Sequence, residues 1–258
     1  MHSAQVLPDG SRLRWVEIPG AQPTRVYVHG LGASSAPYYA EAIAHPALGG
    51  HRSLMIDLLG FGISDQPADA AYTLEMHADV LARALEQAAV GEADVVAHSM
   101  GGAVAITLAA RHPQLVRRLV LVDAVLDPVH PLPTVKRPGS SGIGVYRTEK
   151  EFLDHGWDET LEFIGPEWAA TMRLAGPQAL YRSAINMLSG TVPTVRERLD
   201  KLTIPRALLY PAADGPRFDT DRLAAAGVEV VAIPDCGHNI MLDNVEGFAV
   251  AVEAALRD

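Results

Sequence analysis

A short apolar strand that runs straight into a serine, and at once into an Ala-rich helix, leaves a chain few folds to choose from. Ala93-Asp94-Val95-Val96-Ala97-His98 supplies the strand, Ser99 the corner, and Met100-Gly101-Gly102-Ala103-Val104-Ala105-Ile106-Thr107-Leu108-Ala109-Ala110 the helix. So sharp a turn accepts only small residues two before and two after the serine. Ala97 and Gly101 stand there, alanine replacing the first glycine of the Gly-x-Ser-x-Gly pattern. The turn lifts the Ser99 hydroxyl clear of the sheet and points the first amides of the helix, the positive end of its dipole, at the same spot. A poorly nucleophilic hydroxyl is presented this way for attack on a carbonyl. The alternative is a buried strand and helix joined by a Ser-Gly turn.

Upstream, Arg25-Val26-Tyr27-Val28-His29-Gly30-Leu31-Gly32 is a second β-rich run, ending in a glycine-flexible loop. An acyl-transfer site needs two backbone N–H donors for its oxyanion, one from the residue after the nucleophile and one from a loop after a neighbouring strand. Met100 and Leu31 stand where those donors are needed.

With these residues the chain resembles the α/β-hydrolase superfamily, a serine-nucleophile, esterase-like member, over nearly its whole length. The resemblance takes in Asp9-Gly10-Ser11-Arg12-Leu13 in the N-terminal hairpin, His29-Gly30-Leu31-Gly32 after the third strand, and Asp57-Leu58-Leu59-Gly60-Phe61-Gly62-Ile63-Ser64-Asp65 after the fourth. It continues through the serine turn, Leu119-Val120-Leu121-Val122-Asp123 as sixth strand, Ile204-Pro205 before the seventh, and Gly237-His238 after the eighth. Each motif is weak alone; their order and spacing carry the resemblance.

The resemblance implies that nucleophile, acid and histidine follow one another along the chain. His238, in Pro234-Asp235-Cys236-Gly237-His238-Asn239, lies between a strand and the C-terminal helix, on a loop that can reach Ser99. An imidazole, the side chain whose protonation changes near neutral pH, suits the task of taking the serine proton and returning it to the leaving group. For the acid, Asp214 in Pro211-Ala212-Ala213-Asp214 fills the usual position after the seventh strand, although Pro211 stands where glycine is usual. Asp123, ending the sixth strand, is the other location the superfamily uses. Asp219 and Asp221 read as caps of the next helix.

Composition sets limits. A length of 258 residues suits one large α/β core. A net charge of −10 and a pI near 5.4 argue against nucleic acid and anionic membrane surfaces as partners, leaving a small-molecule substrate. Cys236 is the only cysteine, which excludes a disulfide and a Cys-based zinc site. Neighbours on one loop rarely align for attack, so Cys236 is not expected to be a nucleophile beside His238. No His-x-x-x-His pair or carboxylate cluster suggests a metal, and Asp57 with Asp65 reads as a turn around Gly60 and Gly62 closed by Ser64. Gly60-Phe61-Gly62 lacks the third glycine and following helix of a dinucleotide loop. Neither cofactor nor metal is expected. The N-terminus shows no signal-like or spanning segment, so the expected location is the cytoplasm.

The patterning predicts eight strands, near 5–7, 12–17, 25–29, 52–57, 94–98, 118–123, 206–210 and 228–233, in a mostly parallel sheet flanked by helices, with the first hairpin antiparallel. Helices are expected near 37–45, 73–89, 100–111, 219–226 and 245–256. In the second, Leu74, His77, Val80, Leu81, Ala84, Leu85 and Ala88 form a buried stripe. Residues 1–124 and 203–258 make the core. Residues 125–202 are expected as a helical cap inserted after the sixth strand, entered through Pro- and Gly-rich loops, with short helices near 149–155, 159–164, 167–175, 177–188 and 192–201. The cap carries Tyr146, Phe152, Trp157, Phe163, Trp168, Met172, Tyr181, Met187 and Leu188. An aromatic and Met-containing lid over a serine favours a mainly apolar acyl or alcohol group.

The expected activity is therefore hydrolysis of a carboxylic ester, a lactone or a thioester through an acyl-enzyme. A carbon–carbon bond hydrolase would use the same residues. A non-catalytic ligand receptor on this fold would usually have lost a triad member, and here every position is filled.

Overall fold

The strands follow from period-two alternation carried on two buried faces. In the computed structural model, which describes residues 1–129, 131–137, 140–215 and 218–257 except the side chain of Asp214, eight strands form one sheet. They are β1 (His2–Gln5), β2 (Arg12–Ile18), β3 (Ala21–Val28), β4 (His51–Asp57), β5 (Ala93–His98), β6 (Val116–Val122), β7 (Arg206–Pro211) and β8 (Val228–Ile233). Their order across the sheet is β1-β2-β4-β3-β5-β6-β7-β8. Only the β1–β2 and β2–β4 pairings are antiparallel; the others run parallel. The first strand lies earlier than the expected 5–7, because the Val6 and Leu7 N–H groups turn to the Ser11 carbonyl and close the hairpin.

The described helices are α1 (Ser35–Ala44), α2 (Leu74–Gln87), α3 (Met100–Arg111), α4 (Glu149–Glu151), α5 (Trp157–Phe163), α6 (Pro166–Met172), α7 (Pro177–Ser189), α8 (Val195–Lys201), α9 (Thr220–Ala225), α10 (Ile240–Asp243) and α11 (Val245–Leu256). On β3, Val26 and Val28 face the core shared with α2 and α3, and Tyr27 faces the opposite core shared with α1 and α11. On β5, Val95 and Ala97 take the first side and Val96 the second. Each fully buried aliphatic side chain in these layers is worth roughly 1.5–3 kcal/mol. Helix α2 starts where the Thr73 hydroxyl accepts from the Met76 N–H and ends before Ala89, whose φ of 52° no helix continues.

Residues 125–202 carry α4 to α8, with a single π-type turn (Phe152–Gly156) joining α4 to α5. Phe152 is the centre of this insert, flanked by the rings of Tyr146, Trp157 and Tyr181. The last helix begins at Val195 rather than 192, because Thr194 and Glu197 make a reciprocal capping box. Chain order in the sheet reverses between β3 and β5, so the crevice beyond their C-terminal ends is the topological switch point where α/β sheets bind ligands. Among the described residues, no helix is long and apolar enough to cross a membrane.

Candidate active site

Ser99 joins β5 to α3 at φ 52°, ψ −118°, a backbone conformation costly for a residue with a side chain and common at functional turns. Its N–H donates to the Val122 carbonyl of β6 at 2.9 Å, and its own carbonyl accepts from Gly102 and Val125. The need for a small residue at 101 is backbone packing: a Cβ there would lie 2.4 Å from the His29 carbonyl oxygen and 2.9 Å from that of Val28. The helix can therefore start directly against the end of β3. Met100 is its first residue, and the first amides of a helix have no partner within it.

The loop after β3 comes back to the same place. His29 is fully buried, and burial holds its ring neutral by pushing its pKa below the usual value. Its Nε2 accepts from the Leu58 N–H at 3.0 Å, so the proton sits on Nδ1, which donates to the Gly30 carbonyl at 2.7 Å. Leu31 then lines two adjoining cavities together with Ser99, Trp168 and His238.

His238 lies past β8. Its Nδ1 is 2.6 Å from Oδ2 of Asp123, the residue just after β6, whose φ is 41° and whose surface is 5% exposed. A carboxylate only accepts, so it fixes the imidazole proton on Nδ1 and leaves Nε2 as the acceptor. This corrects the expectation of Asp214 as the residue against the histidine. The physical reason is adjacency: the Ser99 N–H bonds the Val122 carbonyl, so the peptide leading into Asp123 abuts the serine turn. Strand β7 runs one residue past the expected 210, to Pro211, and the backbone of Asp214 falls in the one-turn helix Ala212–Asp214. The Asp214 side chain lies outside the described residues. Ser99 and His238 both line each cavity; among the described residues no hydrogen bond joins them, and such bonds commonly tighten only with substrate.

Sequence reasoning gave His98 no role, yet it braces the histidine loop. Its Nε2 donates to the His238 carbonyl at 2.9 Å, and the two rings lie 4.5 Å apart between centroids. Burial, then the adjacent His238, hold its pKa well below the usual value, so it stays a neutral donor. The only signal was its place directly before the serine. Tyr38 and Asn239, also in the cavity wall, carried no sequence signal.

The smaller cavity, about 120 Å³, is lined by Gly30, Ala33, Tyr38, His98 and Asn239 beside the shared residues. The larger, about 320 Å³, is walled by Val125, Val129, Pro133, Val135, Met187 and Leu188, with Arg137, Ser140 and Ser141 among its polar residues. Among the described residues, Trp168 is the one aromatic of the insert in these walls; Tyr146, Trp157 and Tyr181 each pack on Phe152. Cys236 lines neither cavity, and its Sγ lies 3.3 Å from the Ile233 carbonyl. Asp57 accepts from Ser34 Oγ and the N–H groups of Ser35 and Ile63, while Asp65 pairs with Arg14, so the two acids brace loops. Ser64 caps no helix there; its hydroxyl donates to the Asp57 carbonyl. Among the described residues, no cluster of three or more His, Cys, Asp or Glu could hold a metal.

The profile of the family described as the alpha/beta hydrolase fold matches residues 26–142. A 2-hydroxymuconate semialdehyde hydrolase of a Pseudomonas species is 32% identical over 168 residues, which is 65% of this chain and 51% of that protein. An esterase of Mycobacterium tuberculosis is 33% identical over 55% of this chain and 45% of its own length. The chain thus spans about half the length of these relatives. An esterase from Exiguobacterium antarcticum superimposes with a TM-score of 0.76 over 98% of this chain and 97% of that one, at 22% identity, which speaks for the fold alone. Sheet order, strand–serine–helix turn, the match over residues 26–142 and the superposition agree on one point: the chain has the α/β-hydrolase fold.

Proposed function

We propose that the chain is a serine hydrolase that cleaves a carboxylic ester, a lactone or a thioester of a mainly apolar small molecule through an acyl-enzyme. The observation that carries this reading is the convergence on one cavity of Ser99, the Leu31 loop and a histidine whose Nδ1 is held by a buried carboxylate. In the proposed reaction, Ser99 Oγ attacks the carbonyl carbon while His238 Nε2 takes its proton. The negative charge forming on the carbonyl oxygen is met by the N–H groups of Leu31 and Met100. His238 then protonates the leaving alcohol, and a water activated by the same nitrogen hydrolyses the acyl-Ser99 ester. Asp123 acts as the acid, stabilising the imidazolium. Residues 125–202 act as the cap, and the apolar wall of the larger cavity favours a hydrocarbon acyl or alcohol group.

Ser99→Ala tests this directly. It should cut turnover of p-nitrophenyl esters by roughly 10⁴-fold or more and abolish labelling by a fluorophosphonate, because only oxyanion stabilisation and binding remain. Activity kept within about tenfold of wild type would remove Ser99 as nucleophile. A second reading, carbon–carbon bond hydrolysis, is supported by the similarity to the semialdehyde hydrolase and by Arg137 in the larger cavity's wall, a cation suited to a substrate carboxylate. It predicts faster turnover of a 2-hydroxy-6-oxo-dienoate than of any simple ester.

A further inference from the structure

The cavity-side end of the insert does more than wall the site. Trp168 Nε1 donates to the Leu31 carbonyl at 3.1 Å, and Thr171 Oγ1 lies 3.1 Å from the Gly32 carbonyl, so α6 holds two successive peptides of the loop after β3. Both side chains stand on one face of the helix, three residues apart. Contact is close here: a Cβ on Gly32 would come within 2.5 Å of Met172 Cε.

These bonds reach the proposed oxyanion donor through peptide planarity. In a trans peptide the carbonyl of one residue and the N–H of the next point in opposite directions. The hydroxyl of Thr171, shared between the Gly32 carbonyl at 3.1 Å and the Trp168 carbonyl at 3.2 Å, bears on the Gly32–Ala33 peptide, whose N–H donates to the Gly30 carbonyl at 3.2 Å. That same carbonyl accepts from His29 Nδ1 at 2.7 Å. With its carbonyl held on one side by two donors, the Gly30–Leu31 peptide must turn the Leu31 N–H to the other. Rotating that peptide would break both bonds and pull on the Trp168 and Thr171 anchors.

We propose that Thr171 and Trp168 are positioning residues that hold the Leu31 N–H in place for the oxyanion, so that the oxyanion hole is complete only while α6 is seated on this loop. The inference rests on the serine-hydrolase reading. It makes α6 a support of the proposed oxyanion site as well as part of the cavity's surround.

Two variants at one position separate hydrogen bonding from packing. Thr171→Val keeps the volume and loses the hydroxyl; Thr171→Ser keeps the hydroxyl and loses the methyl. Thr171→Val should lower kcat for p-nitrophenyl butyrate about tenfold with KM unchanged, short of the roughly 10²–10³-fold that follows removal of an oxyanion donor. It should weaken inhibition by an aryl trifluoromethyl ketone, whose hemiketal carries the oxyanion, by the same factor. Thr171→Ser should stay near wild type in both. Trp168→Phe should repeat the kcat and ketone effects, and the double variant should cost less than the product of the singles, because both anchors act on one loop. A packing role would rank Thr171→Ser as the worse variant and would overturn the proposal, as would a Thr171→Val defect confined to KM or an unchanged ketone affinity. Ser99→Ala in the same assays distinguishes the deeper failure: if it keeps turnover and ketone affinity, the serine-hydrolase reading is wrong and this inference falls with it.

Discussion

Replacing Asp123 by asparagine asks the most of the site for the least change in shape. Asp123 is nearly excluded from water and sits 2.6 Å from His238 Nδ1. An asparagine turned to offer its amide N–H would make Nδ1 the acceptor and move the ring proton to Nε2, where it blocks transfer from Ser99. Turned the other way, it keeps the tautomer and loses the charge. Two unit charges about 4 Å apart at an effective dielectric of about 20 attract by about 4 kcal/mol, the stabilisation the imidazolium would lose. At about 1.4 kcal/mol per decade that is close to 10³-fold in kcat, and the wrong tautomer raises it toward 10⁴. Steady-state hydrolysis of p-nitrophenyl esters, with thermal melting as the fold control, measures the loss. Asp214→Asn under the same conditions should stay within about threefold of wild type, because Asp123 already holds His238 Nδ1. The reverse ranking would refute the assignment, returning the acid to the turn after β7.

Other consequences are simpler to check. Cys236→Ser should leave turnover and fluorophosphonate labelling nearly unchanged, since the thiol faces the Ile233 carbonyl and not the cavity; a dead enzyme would contradict this. Gly101→Ala puts a Cβ 2.4 Å from the His29 carbonyl oxygen. It should cost about 1–3 kcal/mol, a Tm loss of several degrees in a chain of this size, with a fall in kcat as the Met100 amide shifts; unchanged melting would refute the close-approach argument. His29, His77 and His98 are buried and held neutral, His77 with its pKa pushed down to about 3 by burial. Their folded-state pKa values lie below the unfolded value of about 6.5, so the unfolded chain binds protons first as pH falls, and stability drops from about pH 6.5 downward toward the folded pKa values. Each histidine contributes at most about 1.4 kcal/mol per pH unit. Urea midpoints that stay flat or rise on going from about pH 8 to about pH 5 would contradict that sign.

Local chemistry decided in advance how the turn at Ser99 must be built. A strand, a serine with small neighbours and an alanine-rich helix are contiguous residues, and one steric rule governs them. The same holds for helices α3 and α11, expected and found at Met100–Arg111 and Val245–Leu256, and for the alternation that sends Val26 and Tyr27 to opposite faces of β3. What only the tertiary structure decided are the long-range choices among equivalent local candidates. Asp123 directly follows β6 and Asp214 lies three residues past β7, and no local pattern says which stands against His238; the fold sets Asp123 there, although it is the one 115 residues away along the chain. Trp168 was one aromatic among several in the insert until the fold turned it toward Leu31 and left Phe152 at the insert's centre. His98 faces His238, and α6 grips the loop after β3, because the sheet's order reverses between β3 and β5 and gathers loops from distant parts of the chain at one edge. Periodicity and steric rules act over a few residues and are written in the order of the chain. Side-chain convergence depends on how whole elements pack, and that is set by burial summed over the entire core.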